Sequence, residues 1–253
     1  MTGAGREGAP VRAVIFDWGG TLTPWHPIDP TAQWLGFARA LHGGAGASTT
    51  AEELAATILA AEGAAWARGR DSHTSARLED VLVEAGVDTG HPAYATARLE
   101  YERFWEPHTF TDPQVRPLWE WLRAEGVRVG VLSNTMWTRD YHRAVFARDG
   151  VLPLIDGDVY SSEIDWAKPH PEAFRSAAAA VDTDPAECVY VGDRLFEDVH
   201  GPQQVGMRAV WIPHSEIPAE QVVEVEARPD AVAHSLAEIA GIVRGWTDGA
   251  GRR

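Results

Sequence analysis

Val11-Arg12-Ala13-Val14-Ile15-Phe16-Asp17-Trp18-Gly19-Gly20-Thr21-Leu22 is an apolar run, interrupted only by Arg12, that stops abruptly at a carboxylate followed by two glycines. Its length and β-branched content suit a strand buried on both faces, as in a parallel sheet, where alternation with polar residues is lost. Two later stretches repeat the design. Val127 to Leu132 ends in Ser133-Asn134, and Cys188 to Val191 ends in Gly192-Asp193. Each of these three runs is followed further along by a helical pattern; residues 137–149, 171–181, 195–206 and 234–246 read as helices. Strands alternating with helices predict an α/β fold with a doubly wound, mainly parallel sheet and a ligand site at the carboxyl ends of its strands. Asp17, Ser133, Asn134 and Asp193 then converge on one rim.

Between the first and second of these strands lies an interval too long for an ordinary crossover. From Thr31 to Glu106 it reads as four helices, 31–42, 51–68, 74–85 and 92–106, with Trp34, Phe37, Leu41, Leu54, Ile58, Trp66, Leu78, Leu82, Leu99 and Trp105 as the expected core. Gly43-Gly44-Ala45-Gly46 and the stretch Gly86 to Pro92 supply the breaks. Pro24 to Pro30 and Pro107 to Pro113 flank the insertion as a paired hinge, and a helix over 114–125 returns the chain to the sheet. The expected organisation is a flexible segment 1–10, an α/β core from 11–27 and 109–247, an all-helical cap from 28–108, and a flexible tail 248–253.

Composition narrows the partners. The 253 residues carry a formal net charge of −15, which disfavours nucleic acid and anionic membranes and leaves small soluble molecules as the default partner. No run of 18 apolar residues occurs, and Met1 to Pro10 lacks the apolar centre of a signal peptide, so a cytoplasmic location is expected. The single Cys188, inside a strand, reads as a buried inert thiol. Eleven tryptophans are many for this length, and Trp137 and Trp166 are candidates for an exposed partner surface. The oligomeric state is left open. Of the 22 lysines and arginines, the only lysine is Lys168. An ammonium is a compact charge with three donors, able to sit between a carboxylate and a phosphoryl group without imposing a planar fork.

Asp17-Trp18-Gly19-Gly20-Thr21-Leu22, Ser133-Asn134-Thr135, Lys168-Pro169 and Gly192-Asp193-Arg194-Leu195-Phe196-Glu197-Asp198 together resemble the four ordered motifs of the haloacid dehalogenase (HAD) superfamily, over about residues 11 to 215 and with a helical cap after the first motif. The resemblance implies a Mg²⁺-dependent hydrolase acting on a small phosphorylated metabolite. Asp17 would be the nucleophile, forming an acyl phosphate that water then opens. Lys168 would neutralise charge, while Gly20, Thr21, Ser133 and the Asn134 backbone would bind phosphate oxygens. Asp17, Asp193 and the Gly19 carbonyl would hold the Mg²⁺, with Asp198 orienting Lys168 or a metal-bound water.

One position departs from the pattern. Phosphatases of this superfamily carry a second Asp two residues after the nucleophile as general acid and base, whereas this chain has Gly19. No side chain can move a proton there, so good leaving groups are expected to be favoured. His26, in the hinge, is a candidate substitute acid. Alternatives remain a phosphoryl-ligand binding protein that has lost turnover, and a dehalogenase. Phosphonoacetaldehyde hydrolases share a similar opening but use a cap lysine, and residues 28–108 contain none.

Overall fold

A computed structural model describes residues 9–42, 49–213 and 222–250. The expected segment 1–8, the glycine break over 43–46 and residues 251–253 lie outside the described residues. Six parallel strands form one sheet: β1 (Ala13–Phe16), β2 (Arg128–Ser133), β3 (Gly157–Tyr160), β4 (Cys188–Gly192), β5 (Arg208–Trp211) and β6 (Ala231–Val232), in the order β3-β2-β1-β4-β5-β6. The sequence runs outward from β1 on one side through β2 and β3, then returns to β4 on the other. The switch point therefore lies between β1 and β4, where a doubly wound sheet opens its ligand crevice.

Register sets what meets there. Phe16 is level with Val131 of β2 and Val191 of β4, so the residues just beyond each of them share one edge. β1 is fully buried on both faces. Val14 and Phe16 join the larger core with Trp119, Val129 and Val189, whereas Ala13 and Ile15 face Leu132, Phe174, Ala177 and Tyr190.

β3, β5 and β6 were not visible as apolar runs. β3 and β5 each spend a position on a charge that residues from elsewhere in the chain hold. Asp158 is buried between the guanidinium groups of Arg139 and Arg143, and Arg208 is buried over the ring of Trp246. β6 is only two residues long.

The interval after β1 is helical as expected: α1 (Pro30–Leu41), α2 (Ala51–Ser72), α3 (Leu78–Glu84) and α4 (Tyr94–Trp105), with α1 packed on both α2 and α4. Local chemistry sets the starts. Asp29 caps α1 by accepting from the N–H groups of Thr31 and Ala32, and Thr50 with Glu53 forms a reciprocal capping box on α2, which satisfies donors that have no partner within the helix. Trp34, Phe37, Leu41, Leu54, Ile58, Leu78 and Leu82 are buried, and Trp66 and Trp105 partly so. Leu99 is instead 52% exposed. The buried face of α4 follows Ala97 and Tyr101, four residues apart, and Leu99 lies between them out of phase.

The chain then enters α5 (Val115–Ala124), α6 (Arg139–Arg148) and α7 (Pro171–Ala180). The helix expected over 195–206 is a π-helical turn, Leu195–His200, running into the short α8 (Gly201–Gln203). The last helix, α9 (Leu236–Ala250), continues past 246, so residues 248–250 belong to it rather than to a flexible tail; no proline stops it. Trp137 is buried, contrary to the expected exposed surface, because the helical layer covers it: its Nε1 donates to Tyr101 Oη (2.8 Å), and its ring meets Trp18 and Trp105. Trp166 is exposed, stacked on His170. No described helix is long and apolar enough to cross a membrane.

Candidate active site

Asp17 leaves the end of β1 with its N–H donating to the carbonyl of Val191 (2.9 Å), which fixes it beside the β4 exit. The chain then turns tightly. Leu22 and Thr23 N–H groups both donate to the Trp18 carbonyl, Thr21 N–H approaches the same oxygen at 3.3 Å, and Gly20 N–H donates to Thr23 O. Gly20 takes φ of 83°, a left-handed conformation in which a Cβ would be strained. The Gly20 and Thr21 N–H groups are thus engaged within the turn rather than presented to an anion. The Thr21 hydroxyl differs: it is buried and has no hydrogen-bond partner among the described residues.

Gly19 is the open position. A Cβ built there meets nothing within 4 Å, and its φ lies outside the positive range. Glycine is therefore not required at position 19 by space or by backbone.

Lys168 is buried beneath this turn and organises it. Its Nζ donates to Asp17 Oδ1 (2.8 Å), Asp198 Oδ1 (2.7 Å) and Tyr190 Oη (2.9 Å), using all three donors of the ammonium. Its backbone is clamped by one side chain: Asn134 Oδ1 accepts from Lys168 N (2.8 Å), and Asn134 Nδ2 donates to Lys168 O (2.9 Å). Asn134 thus acts through its amide on Lys168, a role the sequence did not show. Tyr190 was missed as well. Its hydroxyl donates to Leu132 O (2.9 Å), joining the ammonium to the strand that ends in Ser133. Within an apolar strand a tyrosine reads as core, and only the register shows that its hydroxyl meets Lys168.

Asp193 is buried at the exit of β4, and its carbonyl accepts from Trp211 Nε1 (2.8 Å). Asp198 is fully buried, and its second oxygen accepts from Arg194 N (2.9 Å). Gly192 makes this packing possible, since a Cβ there would lie 2.4 Å from Asp198 Cγ. Ser133 is buried at the end of β2.

Oxygens of Asp17, Asp193 and Asp198 lie within 4.8 Å of one another, and Lys168 bonds two of these buried carboxylates, Asp17 and Asp198. The carboxyl of Asp17 is pushed up from its ordinary value by burial and by Asp193, against the pull of Lys168. Asp198 is pushed up by burial and by Asp17, again against Lys168. For Lys168 burial acts downward, but Asp17 and Asp198 outweigh it and hold the ammonium well above its usual range. Burial without solvent screening leaves a cost for charge on Asp17 and Asp198 even with Lys168 beside them. A hard divalent cation between Asp17 and Asp193 would relieve it, and carboxylate oxygens are the donors Mg²⁺ takes. Asp198, with both oxygens already bonded, is the carboxylate least able to serve as a direct ligand. The residues present fit the metal.

His26 sits outside this cluster. It is exposed, with its ring against His108 at 5.3 Å. Asp112 N, in the second flanking stretch, donates to Leu22 O, two residues before the first (2.8 Å). Arg68 pairs with Glu84, Arg98 with Glu79 and Glu102, and Arg103 with Glu100. Cys188 is buried, and burial pushes its thiol up to about 12, as expected of an inert thiol.

A doubly wound sheet presenting a buried aspartate cluster locked to one lysine, with helices inserted after the first strand, defines a class of α/β hydrolase. A family model for haloacid dehalogenase-like hydrolases matches residues 11–206, and the chain belongs to that family. It is 25% identical over 234 residues to the glyceraldehyde 3-phosphate phosphatase of Methanopyrus kandleri, covering 92% of this chain and 97% of the relative. It is 32% identical over 206 residues to the phospholysine phosphohistidine inorganic pyrophosphate phosphatase of Mus musculus, covering 68% and 76%. Among solved structures, the HAD phosphatase from Thermococcus onnurineus superposes with a TM-score of 0.63 at 25% identity, covering 93% of this chain and 99% of that one.

Proposed function

We propose that this protein is a Mg²⁺-dependent phosphatase of small phosphorylated metabolites, working through an aspartyl-phosphate on Asp17 and suited to good leaving groups. The observation that supports it is the three-point grip of Lys168 on Asp17, Asp198 and Tyr190. That grip orients the Asp17 carboxylate and sets a positive charge where negative charge gathers on a transferring phosphoryl group. The family model and the phosphatase relatives support the same reading.

In this reading Asp17 attacks phosphorus, the leaving group departs, and water opens the acyl phosphate. The Thr21 hydroxyl, buried without a partner, donates to a phosphate oxygen together with Ser133. Bound Mg²⁺, held by Asp17, Asp193 and the Gly19 carbonyl, would supply charge neutralisation to the phosphate. Helices α1 to α4, with the segment 28–108 as their unit, act as a cap that excludes water during the chemistry. With Gly19 in place of an acid, the enzyme cleaves first those bonds whose leaving groups need no proton. The mouse relative's name carries inorganic pyrophosphate, whose phosphate leaving group meets that description. Metabolites of this kind, together with the strong negative charge, favour a cytoplasmic site of action.

The test incubates the purified protein with p-nitrophenyl phosphate and acetyl phosphate, with and without Mg²⁺, beside Asp17→Asn. Metal-dependent release of phosphate that the substitution abolishes supports the enzyme. Retained binding of a phosphate analogue without turnover would favour a binding protein, and halide release from a 2-haloacid would favour a dehalogenase.

A further inference from the structure

Residues 73–77, the connection between α2 and α3, bring the helical layer against the core next to the Lys168 segment. His73 ends α2 in the left-handed conformation, φ 52° and ψ 46°, which residues other than glycine adopt chiefly at helix ends and turns. Hydrogen bonds hold the connection on both sides. Within the layer, Thr74 N donates to Gly69 O (3.2 Å), and Gly69 has no room for a side chain because a Cβ would lie 2.6 Å from Thr74 O. Toward the core, His73 O accepts from Ala167 N (2.7 Å), Ser75 Oγ bonds Ser161 Oγ (2.6 Å), Arg77 Nε donates to Ser162 O (3.0 Å), and Leu78 N donates to Met136 O (3.0 Å).

Those partners place the imidazole. Ala167 directly precedes Lys168, whose ammonium holds Asp17. The half-buried ring of His73 faces the ring of Phe196 at 6.3 Å, three residues beyond Asp193. His73 therefore stands between the Lys168 segment and the Asp193 segment, the two that close on the nucleophile, and it arrives from the helical layer, the side from which a leaving group would extend. An imidazole can hold and return a proton near neutral pH. The hydrogen bonds around it fix its backbone.

We propose that His73 is the general acid and base that position 19 lacks, a proposal that rests on the phosphatase reading above. As the Asp17 oxygen bonds to phosphorus and the ester P–O bond breaks, the imidazolium N–H proton passes to the ester oxygen, which leaves as a neutral alcohol. The imidazole then accepts one proton from the water that opens the acyl phosphate. The water's oxygen and other proton depart in the phosphate, and Asp17 is a carboxylate again. The substrate class follows: with His73 in place, phosphate esters of ordinary alcohols are cleaved as well, more slowly than those of acidic leaving groups, and without it only the latter.

The test uses His73→Asn and His73→Gly, because both replacements accept a positive φ and should keep the loop folded, which thermal melting checks. Each is assayed on a simple alkyl phosphate and on p-nitrophenyl phosphate, with Asp17→Asn alongside. Both variants should lose about 10²-fold or more in kcat/KM on the alkyl ester while the aryl ester changes by only about twofold, as removal of a general acid requires. Added imidazole should restore alkyl turnover to His73→Gly. Equal losses on both esters would show that His73 only shapes the loop, and unchanged alkyl turnover would show that it does nothing; either overturns the proposal. Aryl turnover abolished by Asp17→Asn upholds the phosphatase reading whatever His73 does. A wild-type protein inert on every ester refutes both.

Discussion

Replacing Gly19 by Asp should turn this protein into a markedly better alkyl phosphatase without disturbing its fold. The structure supplies both halves of that expectation. A Cβ at position 19 meets no atom within 4 Å, and the backbone there is not left-handed. The substitution therefore carries no steric penalty, and it restricts the unfolded chain, a gain of about 0.4–1 kcal/mol where the native conformation is compatible. The new carboxyl lies two residues beyond Asp17. The neighbouring carboxylates raise its pKa, which helps it to act as an acid. General acid–base assistance is worth about 10² to 10⁴ in rate, or about 3 to 5 kcal/mol of barrier at 1.36 kcal/mol per decade. The assay is kcat/KM for a series of phosphate esters ordered by leaving-group pKa. The line should flatten in Gly19→Asp, with the largest gain on the least acidic alcohol. Combined with His73→Asn the gain should be larger than in the wild-type background, because both side chains serve the same oxygen and their effects are coupled. A folded variant with unchanged melting temperature and no gain on alkyl esters would refute the claim that proton transfer to the leaving group limits this enzyme.

Stability should fall in mild acid. Burial takes the His142 imidazole down to about 3, only partly opposed by Asp158, while the unfolded chain titrates near 6.5. Between those values the unfolded state binds a proton that the native state does not, so stability is complete above about 6.5 and is lost as pH drops, by about 2 kcal/mol at pH 5. Urea melts between pH 5 and 7 should show that slope, and His142→Phe should flatten it. Tyr190→Phe keeps the ring but strips a partner from the buried ammonium of Lys168 and from Leu132 O; it should cost about 1–3 kcal/mol in a denaturant melt, and an unchanged midpoint would contradict the bridge. Gly192→Ala drives a methyl to 2.4 Å from Asp198 Cγ. Asp198 must then move off Lys168, with a loss of about 1–3 kcal/mol and of phosphatase activity, read by melting temperature and phosphate release.

Much of the centre was legible in the chain itself. Asp17, Ser133 and Asp193 each stand just past, or at the last position of, an apolar run. In a parallel sheet all strand ends of one polarity lie along one edge, so recognising three buried strands was enough to bring those residues together. The lone lysine among arginines pointed to a position where the shape of the cation matters. The four helices between β1 and α5 followed from periodicity, because an amphipathic face repeats every 3.6 residues whatever it packs against. Periodicity failed where burial came from elsewhere in the chain: Trp137 is covered by a helix that begins more than forty positions earlier, and Asp158 is buried only because Arg139 and Arg143 neutralise it.

Tertiary structure alone decided the rest. That Tyr190 ties Lys168 to the β2 exit, that Asn134 clamps the lysine backbone, that Gly19 borders open space and that His73 lies against Ala167 and Phe196 are all facts of register between distant segments. Sequence fixes which groups a strand or helix offers and in what phase. It does not fix which donor meets which acceptor across the sheet, because that depends on the relative position of elements to within the few tenths of an ångström over which a hydrogen bond forms or fails.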